Sequence, residues 1–366
     1  MNRRKILAFY LPQYYPFKEN NDWWGEGFTE WTSVGRAKPL FKGHYQPKVP
    51  ADLSYYDLRL PIVREQQASL AKQYGVDGFC YWHYWFGNGR RLLDLVEKEV
   101  VESGRPDFPF CFCWANHTWY AKNWNSKDSN RKHKILIEQT YPGTEDFIAH
   151  FNCCLNAFCD NRYIKVNNKP VFCIYDAEAI PDFNLMRKIW NELAVQNGFD
   201  GIYWMSYSMT VQKYERVKHL LFDEFIVDPM NLAEKKQNKI DIYYRKALSY
   251  LGLDSLQTLR IVDYSKYADC AACYFSQNEN VTICILPNYD HSPRSGRNAL
   301  ILKDSTPEKF GILCKKMYEI LEKRNKANEF VFLKSWNEWG EGNYLEPDLR
   351  FGKGFLEQLK RNLTHV

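Results

Sequence analysis

Eight short apolar runs punctuate the chain: Lys5–Tyr10, Gly78–Trp82, Phe110–Trp114, Pro170–Tyr175, Gly201–Ser206, Phe222–Val227, Val281–Leu286 and Phe330–Trp336. Each is nearly continuous in its hydrophobicity. A strand with one wet face alternates apolar and polar positions, whereas a strand covered on both faces reads as an unbroken run. Amphipathic stretches lie between many of the runs. Pro61 to Tyr74 sets Val63, Leu70 and Tyr74 on one face and stops at Gly75. Thr144 to Asn161 and Asp182 to Asn197 read the same way. Ser305-Thr306-Pro307-Glu308 opens a helix with proline at its first position and a Ser-x-x-Glu capping box. Phe310, Leu313, Met317 and Leu321 follow at helical spacing. Buried parallel strands separated by helices predict an α/β fold, and eight of them predict a (β/α)8 TIM barrel.

Two stretches do not fit that rhythm. Residues 12–50 are rich in Trp, Tyr and Gly and show no helical period. A loop of that length in a compact domain is usually functional, and its aromatics suit the wall of a cleft. Residues 228–280 are mixed in character and lysine-rich at Glu234-Lys235-Lys236. They read as a long connection or insertion carrying helices after the sixth strand. With no internal repeat and no Pro/Gly/Ser linker, residues 1–366 read as a single catalytic domain with long aromatic-rich loops.

Composition narrows the partners. Hydrophobic residues make up 45% and charged residues 25% of the 366, an ordinary globular balance. Aromatic residues reach 16%, and many sit at strand ends, where packing alone does not demand them. A sugar, polar but with apolar faces, does. The net charge is +5 and the basic residues are scattered, which excludes a nucleic-acid partner. No run reaches membrane-spanning length, so no transmembrane segment is expected. The basic start Asn2-Arg3-Arg4-Lys5 leads into an apolar run that breaks at Pro12-Gln13, too early for a signal peptide. A cytoplasmic protein is expected, with peripheral contact to the inner membrane face left open. The 11 cysteines lie mostly inside apolar strands, as reduced buried thiols do. Cys270-x-x-Cys273 lacks a second pair or a histidine partner, so no metal is expected, and no motif calls for a cofactor.

In a barrel of this kind the active site lies at the C-terminal strand ends. Those ends carry Tyr10 and Gln13; Trp82 and His83; Trp114, Asn116 and His117; Tyr175; and Asn288, Tyr289, Asp290 and Arg294. Any one of these alone is an ordinary core-rim residue; their convergence from several strands makes a site. The last strand leads into Ser335-Trp336-Asn337-Glu338-Trp339-Gly340-Glu341-Gly342. Two carboxyls held close cannot both ionise easily, so their pKa values separate into an acid and a base. Glu338 and Glu341 are therefore the catalytic candidates. Three residues apart on a helical turn, they would lie about 5–6 Å apart at Cβ. Retaining glycosidases hold their carboxyls about 5–5.5 Å apart, so the spacing leans towards retention. Asn337 flanks the pair, and Trp31, Trp82, Trp114 and Trp339 are expected to form an aromatic wall for a sugar.

The motifs Phe9-Tyr10-Leu11-Pro12-Gln13, Trp23 to Trp31, Tyr45-Gln46-Pro47, Tyr56-Asp57-Leu58-Arg59, Tyr74 to Phe79, His83-Tyr84-Trp85-Phe86, Pro109 to Asn116 and Trp336 to Gly342 run nearly end to end. In these the chain resembles the WbsX-type proteins, which carry a domain like glycoside hydrolase family 99. The resemblance implies a glycosyltransferase of cell-surface polysaccharide assembly (O-antigen or capsule), on the barrel of retaining α-mannoside-cleaving enzymes. It implies that Glu338 deprotonates a sugar 2-hydroxyl, which attacks its own anomeric carbon, and that Glu341 protonates the leaving oxygen. Two segments depart from the family pattern: His117 and Thr118 stand where Glu-Asn is usual, and His291 and Ser292 where Asn-Thr is usual. Glycosyl transfer from an activated sugar, retaining endo-hydrolysis of an α-mannoside-like glycan and non-catalytic sugar binding remain the three readings. The intact Glu pair argues against the third.

Overall fold

A computed structural model describes residues 4–121, 134–234, 239–251, 253, 258–324 and 330–364. The barrel strands are β1 Lys5–Tyr10, β2 Gly78–His83, β3 Phe110–Trp114, β4 Lys169–Ile174, β5 Tyr203–Ser208, β6 Glu224–Val227, β7 Val281–Ile285 and β8 Phe330–Leu333. Each pairs in parallel with the next, and β8 returns to β1, with Leu7 level with Phe332. A helix follows every strand: α1 Pro61–Gln73, α2 Leu95–Ser103, α3 Thr144–Cys159, α4 Phe183–Gln196, α5 Val211–Val217, α6 Tyr264–Gln277, α7 Pro307–Lys323 and α8 Gly354–Asn362. The expected (β/α)8 barrel is thus present and closed.

Side-chain parity organises its two cores. Phe9 points into the barrel, where its ring lies 4.8 Å from Trp82, 5.1 Å from Tyr207 and 5.1 Å from Phe332. Tyr10, the next residue, points outwards, packs on Tyr81 and donates to Gln67 of α1 at 2.7 Å. Successive side chains of a strand take opposite faces, so one position of shift exchanges barrel interior for helix layer. Cys80, Cys113, Cys173 and Cys284 are fully buried, and all 11 cysteines are free thiols.

Three sequence expectations are corrected. The α7 cap is Thr306, which accepts from Lys309 N at 3.4 Å, while Ser305 donates to Leu302 O at 3.2 Å instead. Residues 12–50 contain two short helices, Lys18–Trp24 and Glu30–Arg36. Seven residues are too few for a period to show, and docking on the barrel mouth stabilises what propensity alone does not. Third, β8 stops at Leu333, short of Trp336. The 228–280 region holds helices Met230–Ala233 and Lys239–Tyr250, the strand Arg260–Asp263 and then α6. Arg260–Asp263 pairs in parallel with Leu300–Lys303 from the β7–α7 connection, so the insertion is tied to the face that carries the site. Among the described residues no helix is long and apolar enough to cross a membrane.

Candidate active site

A cleft of about 620 Å³ opens at the C-terminal ends of the strands. Trp24, Phe28, Trp82, Tyr84, Trp119, Tyr175, Tyr207 and Tyr289 give it aromatic walls, and its charged and ionisable groups include Glu30, His291, Arg294, Lys334, Glu338 and Glu341. Flat apolar faces beside fixed polar groups are what a sugar ring requires.

The segment after β8 is pinned before it turns. Trp336 N donates to Phe9 O at 2.7 Å. The Asn337 amide clamps Leu11, accepting from its N–H at 2.7 Å and donating to its carbonyl at 3.0 Å. Trp339 to Glu341 then form one 3₁₀ turn with Glu338 at its start. Residues three apart eclipse in such a turn, so both carboxyls project to one side. There a single nitrogen of Arg294, Nη1, lies 2.7 Å from Glu341 Oε1 and 3.7 Å from Glu338 Oε1. The same guanidinium donates through Nε to Glu30 at 2.9 Å. Gly340 makes that approach possible: a Cβ there would stand 1.5 Å from Glu30 Oε1.

Burial pushes the Glu338 carboxyl up to about 7, and the charge of Glu341 adds to the rise against the pull of Arg294, Lys334 and the Ser335 hydroxyl. Ser335 Oγ donates to Glu338 Oε2 at 2.8 Å. Burial alone would lower Arg294, but Glu30, Glu341 and Glu338 hold it well above the usual range, so it stays charged. A carboxyl with a pKa near the working pH both takes and gives a proton readily. His291 Nε2 stands 3.6 Å from Glu341 Oε1, with Ser295 Oγ 2.6 Å from its Nδ1.

Of the residues expected at the site, Gln13, Trp82, His117, Tyr175, Tyr289, Arg294, Glu338 and Glu341 line the cleft. The others do not. Trp114 is buried in the helix layer, its indole donating to Trp85 O at 2.8 Å. Trp339 is buried behind the carboxyls, stacked on Tyr344 and bonded to Glu346 at 2.7 Å. Trp31 packs against Trp339 and Tyr14 and donates to Tyr56 O at 2.8 Å. Of the four tryptophans expected in the wall, Trp82 alone lines the cleft. Tyr10 faces α1, as described. Asn116 is a positioning residue: it donates to Tyr141 OH at 2.9 Å and Asp176 O at 2.7 Å and accepts from Asp176 N at 2.8 Å. Asn288 and Asp290 face a smaller cavity of about 110 Å³ behind the loop, bonded to Lys48 and to His44 and Gln46.

His83 also turns outwards. Its Nδ1 faces Glu97 at 2.9 Å and its Nε2 faces His150 Nε2 at 2.9 Å, with Cys154 Sγ at 3.9 Å. These three could ligate a metal by residue type. The two ring nitrogens point at each other at hydrogen-bond distance, and Glu97 holds the other nitrogen of His83, so the three form a buried hydrogen-bonded chain. Burial holds both imidazoles well below the usual histidine range, and so neutral.

Glu30, Lys334, Tyr84, Trp24 and Trp119 were not picked out from the sequence as site residues. Lys334 carried a signal, because a lysine inside Phe330-Val331-Phe332-Leu333-Lys334-Ser335-Trp336 has no reason to sit in a buried run unless something there requires its charge.

The profile of the family described as "Glycosyltransferase WbsX" matches residues 6–359. The chain belongs to that family. Two relatives from Xanthomonas campestris pv. campestris strains, both called "Uncharacterized protein WxcX", are 32% identical over 99% of this chain. The chain spans about 50% of the length of these relatives. Among solved structures, a GH99 endo-alpha-mannosidase from Bacteroides thetaiotaomicron superposes with a TM-score of 0.55 at 14% identity, over 97% of this chain and 95% of its own. A "Glycoside hydrolase-like protein" superposes with a TM-score of 0.60 at 16% identity, over 99% and 94%. At such identities the likeness is one of fold. The chain is thus a member of the WbsX family on a (β/α)8 barrel like that of these solved structures.

Proposed function

We propose that this chain transfers a glycosyl group from an activated sugar to a glycan acceptor during cell-surface polysaccharide assembly, with retention of configuration. The observation that carries the reading is the Glu338–Glu341 pair gathered on one guanidinium in an aromatic cleft. Family membership supports transfer, and the resemblance to retaining α-mannoside-cleaving enzymes supports the roles. Glu338 removes the proton of the donor's 2-hydroxyl, O2 closes on the anomeric carbon, and Glu341 gives a proton to the leaving oxygen. The acceptor hydroxyl then opens the 1,2-anhydro ring, losing its proton to Glu341, while O2 regains a proton from Glu338. In the ligand-free site burial favours the proton on Glu338 and Arg294 faces Glu341. Docking of the sugar hydroxyl against Glu338 passes that proton across the pair. The barrel, with the 228–280 insertion at its rim, acts as one catalytic unit on the cytoplasmic side.

The test is incubation with activated sugar donors and glycan acceptors, followed by mass spectrometry. Acceptor gaining one sugar residue supports transfer. Free sugar alone means that water is the acceptor and the enzyme hydrolyses. A folded protein giving neither product overturns the reading. A glycosyl ester trapped on Glu338 would replace the 1,2-anhydro route by direct attack.

A further inference from the structure

Three buried polar groups that the proposed chemistry does not use lie together at the cleft floor, Lys334 and Tyr207 in its lining and Asp228 behind them. Lys334 follows β8, Asp228 follows β6 and Tyr207 lies on β5, all with inward parity. The Lys334 side chain is 4% exposed and that of Asp228 0%. Lys334 Nζ stands 3.5 Å from Asp228 Oδ2, and Nζ, Asp228 Oδ2 and the Tyr207 hydroxyl make no hydrogen bond among the described residues. Asp228 is held in place through Oδ1, which accepts from Met230 N at 2.9 Å. The rings of Tyr207 and Tyr289 lie 5.9 and 5.5 Å from the ammonium. Lys334 and Tyr207 both line the cleft.

Leaving a buried polar group without a partner costs about 1–3 kcal/mol, and more for a charge. Among the described residues Lys334 and Asp228 are ion partners 3.5 Å apart, while Nζ, Oδ2 and the Tyr207 hydroxyl all keep hydrogen-bonding capacity to spare, which an incoming polar group can complete. Burial would pull the Lys334 ammonium down, but Tyr207, Asp228, Glu341 and Tyr289 around it outweigh that pull, so the lysine stays charged. The pocket therefore offers a strong donor in Lys334, an acceptor in Asp228 and a hydroxyl in Tyr207 that serves as either. An incoming group that both accepts and donates satisfies all three, and a sugar hydroxyl is such a group. A carboxylate accepts only, and it would enter beside Asp228, Glu338 and Glu341.

Resting on the reading that the cleft binds a sugar, we propose that Lys334, Asp228 and Tyr207 form a pocket that reads a hydroxyl of a neutral sugar ring. It selects against both the deoxy analogue and a uronic acid. A site built to bond a hydroxyl rejects its absence strongly, because the protein groups are then left unpaired.

The probes are the methyl α- and β-glycosides of mannose, glucose and galactose, their monodeoxy derivatives and the corresponding methyl uronates. They are titrated calorimetrically against the unmutated chain, Lys334→Met and Tyr207→Phe. At least one neutral glycoside should bind the unmutated chain and weaken by about 10–100-fold in Lys334→Met, the range expected for a hydrogen bond to a charged group. One of its monodeoxy derivatives should bind the unmutated chain with the same loss, and the two losses should not multiply. Tyr207→Phe removes an oxygen without a partner, so it should keep or raise thermal stability while weakening the same glycoside. Equal behaviour of Lys334→Met and the unmutated chain across the panel, or tighter binding of a uronate, overturns the pocket. The proposed chemistry fails separately, if Glu341→Gln turns over normally, and that outcome leaves these binding data untouched.

Discussion

Arg294 joins Glu30, on the short helix Glu30–Arg36 between β1 and α1, to Glu341, after β8, at 2.9 and 2.7 Å. The bridge spans the cleft mouth and brings three carboxylates, counting Glu338 at 3.7 Å, around one guanidinium. Glu30 is almost wholly buried there, with Arg294 as its ion partner. Arg294→Met should lower unfolding free energy by about 3 kcal/mol, because it leaves a buried carboxylate unpaired. Much of that loss should return in the Arg294→Met, Glu30→Gln double variant. Urea denaturation of the two proteins checks this, and equal midpoints would show that Glu30 finds another partner.

Glu341→Gln should lower turnover by about 10²–10⁴-fold while sparing stability and sugar binding, since an amide keeps the shape but transfers no proton. Glu338→Gln should lower turnover to a similar extent and keep sugar binding, and a 2-deoxy donor should be inert with the unmutated protein. Steady-state kinetics paired with calorimetric binding separate the chemical step from recognition.

Glu338 also gives the fold a pH dependence. Its carboxyl is raised by burial to about 7 from 4.5. Folding then favours the protonated form, so this group's contribution is complete below about pH 4.5 and is lost as pH rises through about 7. Glu338→Gln removes the loss. Its advantage over the unmutated protein in urea-derived stability should be absent at pH 4 and reach on the order of 3 kcal/mol at pH 8. A difference that does not change with pH would mean that Glu338 titrates normally.

Gly340→Ala should break the site without replacing a titratable group. The new methyl would fall 1.5 Å from Glu30 Oε1 and 3.0 Å from Arg294 Nε, so the bridge must open. Turnover should fall by at least about 10²-fold, as when a catalytic group is displaced by about 1 Å. Retained activity would show that the bridge is not needed to aim the carboxyls.

Trp24 and Trp114 should behave oppositely. Trp24 is half-buried on the cleft wall, whereas Trp114 is enclosed in the helix layer. Trp24→Ala should weaken sugar binding by about 3–10-fold with little change in melting temperature. Trp114→Ala should cost about 3–5 kcal/mol of stability. Fluorescence titration and thermal denaturation of each variant decide the assignment.

The sequence by itself determined that this chain would build a barrel. Strands covered on both faces must be apolar throughout, and eight such runs with helices between them admit few other arrangements. It also located the catalytic candidates, because Trp336 to Gly342 puts two carboxyls on one short turn whatever surrounds it. The same two-sided burial hid the rest. A run that is apolar on both faces does not say which parity enters the barrel, so Trp82 and His83, or Phe9 and Tyr10, look alike until strand pairing fixes the register. Closure of β8 on β1 settled that choice: it sent Trp82, Tyr175 and Tyr207 into the cleft and His83, Trp114 and Tyr10 to the helices. The partnership of Glu30, Arg294 and Glu341 joins residues up to 311 positions apart, and no local pattern encodes it. Only the tertiary structure could bring them together, because the barrel sets the first, seventh and eighth connections side by side.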